Sequence, residues 1–351
     1  MSFLPRIPAA VAATALVLAG LTACSNTPAN TPANSSEPTP GETAQLTVAV
    51  AFYPFEFVAQ RVGGDLVKIE NLTTPGAEPH DLELAPQQVA LLSSADLVVV
   101  QSGFQPAVDA ALEQANAKRT VDTASFLTLL PATGDDGHGH GDDDHADEDE
   151  HADEDDHADE DEHADEDEHG DEEGDDHGAL DPHTWLDPTN LATVAEHVRD
   201  ALIEARPEAS DTLKANTAAL VADLTALDDE FKTGLASCQV DAFITSHAAF
   251  GYLAHRYNLE QVGIRGIEPD VEPTAARIAE VHQIAKAEGV TTIFFETLVS
   301  PVVSQSIAGD LGLKTDVLDP LEGLTPESRG TDYLEVMRSN LASLRTANQC
   351  A

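Results

Sequence analysis

Basic residues are scarce in this chain. Lys and Arg together number 17 among 351 residues, against 64 Asp and Glu, and the formal net charge is −47. Nucleic-acid binding requires clustered positive charge, so this composition excludes that class of partner. An acidic protein attracts cations instead. The length is sufficient for two domains with a sizeable core.

The apolar run at the amino terminus is short. Residues 9–20 are too few to span a membrane comfortably, and with Arg6 ahead of them they indicate a signal peptide over residues 1–24. The sequence LTAC at 21–24 resembles a bacterial lipobox, in which Cys24 is lipidated and becomes the new amino terminus. A plain signal peptide with an incidental cysteine is the alternative. Residues 25–45, rich in Thr, Pro, Asn and Ser, predict a flexible tether.

Cysteine is equally rare, since only Cys238 and Cys350 follow Cys24. Neither has the close-spaced partner that a cysteine-type zinc site requires. An exported protein enters a compartment that permits disulfides, so we expect a bridge between Cys238 and Cys350. Two buried or free thiols are the alternative.

Residues 134–178 contain no Lys, no Arg and no apolar side chain larger than Ala, but 26 Asp and Glu. Such a segment cannot bury a core, and we predict that it is disordered. Imidazole and carboxylate are both metal ligands, so we interpret the run as an accessory metal-collecting loop. A solvated acidic loop is the alternative, and its excess of carboxylate also suits calcium or magnesium. Its eight histidines are His138, His140, His145, His151, His157, His163, His169 and His177.

Strand and helix patterns alternate on both sides of this run. The alternation predicts an α/β fold with two similar lobes, each a parallel sheet flanked by helices. We place the first lobe at residues 46–206 and the second at 236–351. Residues 207–235, with leucines three and four positions apart, predict a long helix that connects them. Helices are also expected at 248–257 and 272–288 in the second lobe.

Six histidines lie outside the acidic run, and they fall into two groups. His80, His183 and His247 stand in loops or at strand ends, where ligands collect in open α/β sheets. Asp319 and Glu296 also stand at the ends of predicted strands. We expect Glu296 to contact a ligand rather than the metal. Three imidazoles with a carboxylate suit zinc in tetrahedral geometry. Hydrogen-bonded loop residues without a metal are the alternative. The other three histidines, which we interpret as surface or packing residues on helices, are His197, His255 and His282.

Four motifs then occur in a fixed order: PGAEPH at 75–80, DPHTW at 181–185, SHAAFGY at 246–252 and LDPL at 318–321. Together they resemble the zinc-uptake substrate-binding lipoproteins of ABC transporters, the ZnuA type, which are related to manganese-binding adhesin lipoproteins. The resemblance covers residue 46 to the carboxyl terminus. It implies two lobes joined by a rigid helix, with the metal in the cleft between them. It also implies His80, His183 and His247 as ligands, with Asp319 at the fourth position.

The resulting hypothesis is an extracytoplasmic, lipid-anchored, monomeric protein, not an enzyme, that binds Zn²⁺ and delivers it to an ABC permease with its ATPase. His247 stands where manganese-type relatives carry a glutamate, and nitrogen ligands favour zinc over Mn²⁺. Three alternatives stay open. They are a manganese or iron transporter of the same family, a zinc hydrolase with an open water position, and a surface zinc buffer without a transport role.

Overall fold

Two four-stranded parallel sheets, one in each half of the chain, form the centre of two lobes. The computed structural model describes residues 44–132 and 180–351. The predicted α/β fold of two similar lobes is therefore confirmed. The predicted signal peptide with Cys24, the tether up to residue 43 and the eight histidines of the acidic run lie outside the described residues.

The first sheet has the strand order β2-β1-β3-β4, with every neighbouring pair parallel. Its inner strands are short runs of β-branched and apolar residues, and β3 is buried along its whole length, as a sheet covered on both faces requires. The strands are β1 (Leu46–Val50), β2 (Val67–Asn71), β3 (Leu97–Val100) and β4 (Thr120–Asp122). The connecting helices are α1 (Tyr53–Gly63), α2 (Pro86–Ser94) and α3 (Pro106–Gln114), and a proline occupies the first turn of each.

A small antiparallel pair interrupts the first lobe where the acidic run departs and returns. Strand β5 (Leu130–Pro131) pairs with β6 (Leu180–Asp181). Two-residue strands carry no periodicity, which is why the sequence did not reveal them. Helix α4 (Pro188–Ala205) follows, and the Asp187 carboxylate caps it by accepting a hydrogen bond from the Thr189 N–H.

The connecting helix, α5 (Ser210–Leu235), has 26 residues and therefore spans about 39 Å. It packs against α1 and α4 of the first lobe, and against helices α6 (Gly251–Tyr257) and α9 (Tyr333–Ala347) of the second. The expected start at residue 207 is three residues too early, because Pro207–Ala209 forms a separate 3-10 turn. The buried face of α5 includes Leu213, Leu220, Leu224, Leu227 and Phe231.

The second sheet repeats the parallel arrangement with the order β10-β9-β7-β8. Its strands are β7 (Ala242–Thr245), β8 (Glu260–Gly263), β9 (Thr292–Phe295) and β10 (Lys314–Val317). Its helices are α6 (Gly251–Tyr257), α7 (Ala275–Ala287), α8 (Val302–Leu311) and α9 (Tyr333–Ala347).

Helices α6 and α7 each begin three residues later than the sequence pattern predicts. The Ala248 N–H donates to the Gly266 carbonyl at 2.8 Å, which keeps residues 246–250 out of the helix. Thr274, directly after Pro273, caps α7 through its hydroxyl. Both differences leave the loops that follow β7 and β8 longer, and these loops border the cleft.

Cys238 and Cys350 form a disulfide that ties the carboxyl terminus to the segment after α5. The alternative of two free thiols is therefore wrong. No helix within residues 44–132 and 180–351 has the length and hydropathy needed to cross a membrane.

Candidate metal site

Four side chains meet in the cleft between the lobes, and each comes from a different loop. His80 lies in the loop between β2 and α2, and His183 follows β6; both belong to the first lobe. His247 follows β7 and Glu322 follows β10, so the second lobe supplies the other two. All four are buried, with at most 6 % of any one exposed. One candidate ligand atom from each lies within 4.8 Å of the others.

The distances from the Glu322 carboxylate to the three imidazoles match those between ligands of a tetrahedral zinc ion. Glu322 Oε1 lies 3.3 Å from the Nε2 atoms of His183 and His247, and 3.6 Å from that of His80. Ligands placed about 2.0–2.2 Å from a tetrahedral zinc ion lie about 3.3–3.6 Å from one another. None of the three Nε2 atoms and neither carboxylate oxygen of Glu322 has a hydrogen-bond partner among the described residues. Buried polar groups rarely remain unsatisfied, so this arrangement favours a bound cation.

A second carboxylate lies beside the far nitrogen of each imidazole. Asp181 accepts from His183 Nδ1 at 2.8 Å, and Glu296 accepts from His247 Nδ1 at 2.8 Å. Glu268 lies 3.4 Å from His80 Nδ1, and it reaches across the cleft from the second lobe. Such carboxylate partners fix the ring orientation and leave Nε2 free for a metal. Glu296 thus has the outer position that the sequence placement suggested.

The acidic surroundings change the protonation of the site. Burial by itself lowers the pKa of His80, but the carboxylates of Glu268 and Glu322 raise it to about 9. Burial also opposes the charged form of His247, whose pKa Glu296 and Glu322 nevertheless raise well above its usual range. Burial raises the pKa of Glu322, but the three imidazoles that face it hold it well below its usual range. The carboxylate of Glu322 is therefore ionised, and protons compete with a metal for the imidazoles of His80 and His247.

The β5–β6 pair, from which the acidic run departs, packs directly against the second lobe beside His183. The Tyr252 hydroxyl on α6 donates to the Asp181 carbonyl and accepts from the Leu130 N–H, both at 2.9 Å. Glycine is required at position 251, because a Cβ there would lie 2.4 Å from Asp181 Oδ2. The SHAAFGY motif therefore supplies His247 and also a surface for the carboxylate that orients His183.

Asp319, the expected fourth ligand, is not part of the cluster, and Glu322 occupies that position instead. Asp319 Oδ1 accepts from the Leu321 N–H at 2.9 Å, and Oδ2 accepts from the Ser328 hydroxyl at 2.9 Å. Both carboxylate oxygens of Asp319 therefore accept hydrogen bonds from the loop that follows it. The sequence carried a signal for this, because an aspartate directly before proline is a typical turn residue. The glutamate three positions further is then the carboxylate left to face the cleft.

The remaining histidines that the structure describes stand apart from the cluster. His197 is exposed on α4 and stacks on Phe126, His255 is exposed on α6, and His282 lies on α7. This agrees with their interpretation as surface or packing residues.

A family model described as ZnuA, zinc-uptake complex component A, periplasmic, matches residues 48–347. The chain belongs to the ZnuA family. Similar curated members are the zinc-binding lipoprotein AdcA of Streptococcus pneumoniae and the high-affinity zinc uptake system protein ZnuA of Bacillus subtilis. The first is 33 % identical over 306 residues, which are 86 % of this chain and 55 % of the relative. The second is 30 % identical over 307 residues, 86 % of this chain and 87 % of the relative.

The fold is shared with solved ZnuA-like structures. The crystal structure of the Zn(II)-bound ZnuA-like domain of Streptococcus pneumoniae AdcA matches with a TM-score of 0.66 and 31 % identity, covering 87 % of this chain and 99 % of that domain. The chain spans about half the length of the AdcA relatives that it matches. Its resemblance to them is therefore to their ZnuA-like part.

Proposed function

We propose that this protein captures Zn²⁺ outside the cytoplasm and delivers it to an ABC permease and its ATPase for high-affinity zinc uptake. The observation that carries this proposal is the convergence of three imidazoles and one carboxylate from both lobes, with one candidate ligand atom of each within 4.8 Å of the others. Membership of the ZnuA family and the names of the relatives, which describe zinc binding and zinc uptake, support it.

His80, His183, His247 and Glu322 are the proposed ligands. Two come from each lobe, so bound zinc clamps the lobes together, and release requires them to separate. Three nitrogen donors favour zinc over Mn²⁺, which prefers oxygen ligands. Manganese or iron uptake is therefore the weaker alternative, and a competition titration in which Mn²⁺ displaces Zn²⁺ would favour it.

The site has the wrong composition for a zinc hydrolase. A catalytic zinc keeps one coordination position open for water, whereas four protein ligands fill a tetrahedral shell. A hydrolase also needs a free general base. Glu296 is the carboxylate that the sequence offered for this role, but its Oε1 accepts hydrogen bonds from both His247 and Ser246, so it orients a proposed ligand instead. We propose that the protein is not an enzyme.

The finer features of the proposal concern segments outside the described residues. Cys24 carries a lipid anchor that holds the protein, as a monomer, at the outer face of the cytoplasmic membrane. The acidic run raises the local zinc concentration near the cleft. It binds weakly, because a segment of this composition loses conformational entropy when it orders around a metal.

A zinc titration against a competing chelator tests the ligand set. We expect one tight site per chain, lost in His183→Ala because that substitution removes a ligand. His255→Ala is the matched control, since His255 is exposed on α6 and outside the cluster. Full affinity in His183→Ala would overturn the assignment.

Deletion of residues 134–178 separates the cleft from the acidic run. We expect the tight site to survive, with loss only of additional weak sites. If tight binding disappears with the deletion, the cleft is not the transport site and a zinc buffer becomes the better account.

Growth under zinc limitation tests delivery. We expect a strain that lacks the protein to grow poorly in chelated medium, and the parent gene, but not the His183→Ala gene, to restore growth. Normal growth of the deletion strain would favour a buffer without a transport role.

A further inference from the structure

The carboxylate of Glu322 reaches the cluster without any hydrogen bond of its own among the described residues. Its side chain is fully buried and faces the three imidazoles. His183 and His247, in contrast, each have an outer carboxylate that accepts a hydrogen bond from the ring, and Glu268 lies 3.4 Å from the ring of His80. The conformation of the backbone that carries Glu322 therefore decides whether its side chain can reach the imidazoles.

That backbone has an unfavourable conformation. Leu321, directly before Glu322, has a φ of 61°, in the left-handed region that a branched side chain such as leucine rarely adopts. Leu321 is also completely buried, so its side chain is fixed in the core and does not relieve the conformation. Such a residue persists only where its surroundings hold it in place.

Asp319 supplies that constraint. Its Oδ1 accepts the Leu321 N–H at 2.9 Å, a local bond from side chain to backbone that closes the turn two residues on. Its Oδ2 is held by the Ser328 hydroxyl at 2.9 Å and by the Thr297 hydroxyl at 3.3 Å. The Asn340 side chain fixes the main chain of Asp319, accepting from its N–H at 3.0 Å and donating to its carbonyl at 2.7 Å.

We propose that Asp319 is a positioning residue that holds the left-handed backbone at Leu321 and thereby directs Glu322 into the metal cluster. This inference rests on the proposed function, because it takes Glu322 as a zinc ligand. It assigns the LDPL motif a structural role in metal binding that does not involve contact with the metal.

A double-mutant cycle tests this, with zinc affinity measured by chelator competition on the full chain. Asp319→Ala removes the acceptor for the Leu321 N–H, and we expect affinity to fall about 10- to 100-fold, as for other residues that orient ligands. Asp319→Asn keeps an oxygen acceptor in the same place, so it should retain affinity to within about threefold of the parent. In the Glu322→Ala background, Asp319→Ala should lower the zinc affinity by less than about twofold, because its effect passes through Glu322.

Cobalt(II), which takes tetrahedral nitrogen and oxygen ligands as zinc does, supplies a second readout in its visible spectrum. The Asp319→Ala spectrum should resemble that of Glu322→Ala, and the Asp319→Asn spectrum should resemble that of the parent. Urea unfolding of the metal-free variants confirms that each is folded. If Asp319→Ala does not fold, Ser328→Ala takes its place, since it removes only one of the bonds that hold the Asp319 carboxylate. Ser328→Ala should lower the zinc affinity of the parent and leave the zinc affinity of the Glu322→Ala protein unchanged.

The outcomes separate the two proposals. If Glu322→Ala keeps full affinity, the proposed ligand set fails and the role of Asp319 fails with it. If Glu322→Ala loses affinity but Asp319→Ala lowers it further by the same factor in both backgrounds, only the positioning role is overturned. A loss in Asp319→Asn equal to that in Asp319→Ala would likewise overturn it, because the charge rather than the turn would then matter.

Discussion

The indole N–H of Trp185 donates a 2.7 Å hydrogen bond to the carbonyl of Pro320 across the two lobes. Trp185 stands two residues after His183, and Pro320 stands two residues before Glu322. The Tyr333 hydroxyl, at the start of α9, donates to the Trp185 carbonyl at 2.7 Å. The single tryptophan of the chain therefore joins the two loops that bring ligands from opposite lobes.

Replacing Trp185 with phenylalanine should weaken both stability and zinc binding. The substitution keeps an aromatic ring but leaves the Pro320 carbonyl without its donor, and a buried polar group that loses its partner costs about 1–3 kcal/mol. We expect a loss of that size in urea unfolding of the metal-free protein, together with a several-fold lower zinc affinity. Unchanged affinity in Trp185→Phe would show that this bond does not position the ligand loops.

Tyr257→Phe is the matched control for that experiment. The Tyr257 hydroxyl donates to Asp228 at 3.1 Å, and its side chain is also buried, but it belongs to neither ligand loop. It should lose stability without a change in zinc affinity.

Zinc affinity should fall as the pH is lowered. The raised pKa of His80, about 9, means that the metal-free protein keeps a proton on this imidazole through the neutral range, and His247 shifts in the same direction. Zinc must displace these protons. Apparent affinity should therefore rise at least about tenfold per pH unit between pH 6 and 8, and the contribution of His80 to this rise should end above about pH 9.

Calorimetry in buffers of different ionisation enthalpy counts the protons released when zinc binds. Glu268→Gln removes one of the carboxylates that raise the pKa of His80, so the contribution of His80 to the pH dependence should end at a lower pH than in the parent. Equal zinc affinity at pH 6 and 8, with no proton release, would show that protons do not compete with zinc for these imidazoles.

The sequence predicted the fold well because its signals are local. Alternating β-branched runs and amphipathic segments specify two parallel sheets, and the leucine spacing in residues 207–235 specifies α5. The misplaced start of α6 has a nonlocal cause, since the bond from the Ala248 N–H to the Gly266 carbonyl joins residues 18 positions apart. The β5–β6 pair likewise joins strands separated by the whole acidic run.

The candidate site was predictable to the extent that strand ends collect ligands. His80, His183 and His247 follow from this rule and from the family motifs, and the structure brings them together. The choice between Asp319 and Glu322 depends on the backbone angle at Leu321, which no periodicity encodes. The shorter carboxylate closes the turn, while the longer one reaches the imidazoles.

The junction between α5 and α6 should make the protein sensitive to acid through Asp228. The Arg256 guanidinium holds both carboxylate oxygens, at 2.6 and 2.8 Å, and Lys232 Nζ lies 2.6 Å away. Burial by itself raises the pKa of Asp228, but these cations lower it to about 2. A lowered pKa contributes stability that is fully present above the unfolded value, about 4, and is lost as the pH falls through about 2.

Asp228→Asn should therefore reduce the free energy of unfolding at pH 7 by about 2–3 kcal/mol, the equivalent of this pKa shift. Urea unfolding at a series of pH values measures the difference from the parent, which should shrink between pH 4 and 2 as Asp228 is protonated. Asp229→Asn is the matched control, because Asp229 is the next residue on α5 and is exposed. Parallel stability curves for Asp228→Asn and Asp229→Asn would mean that the pairing with Arg256 contributes no more than an exposed surface charge does.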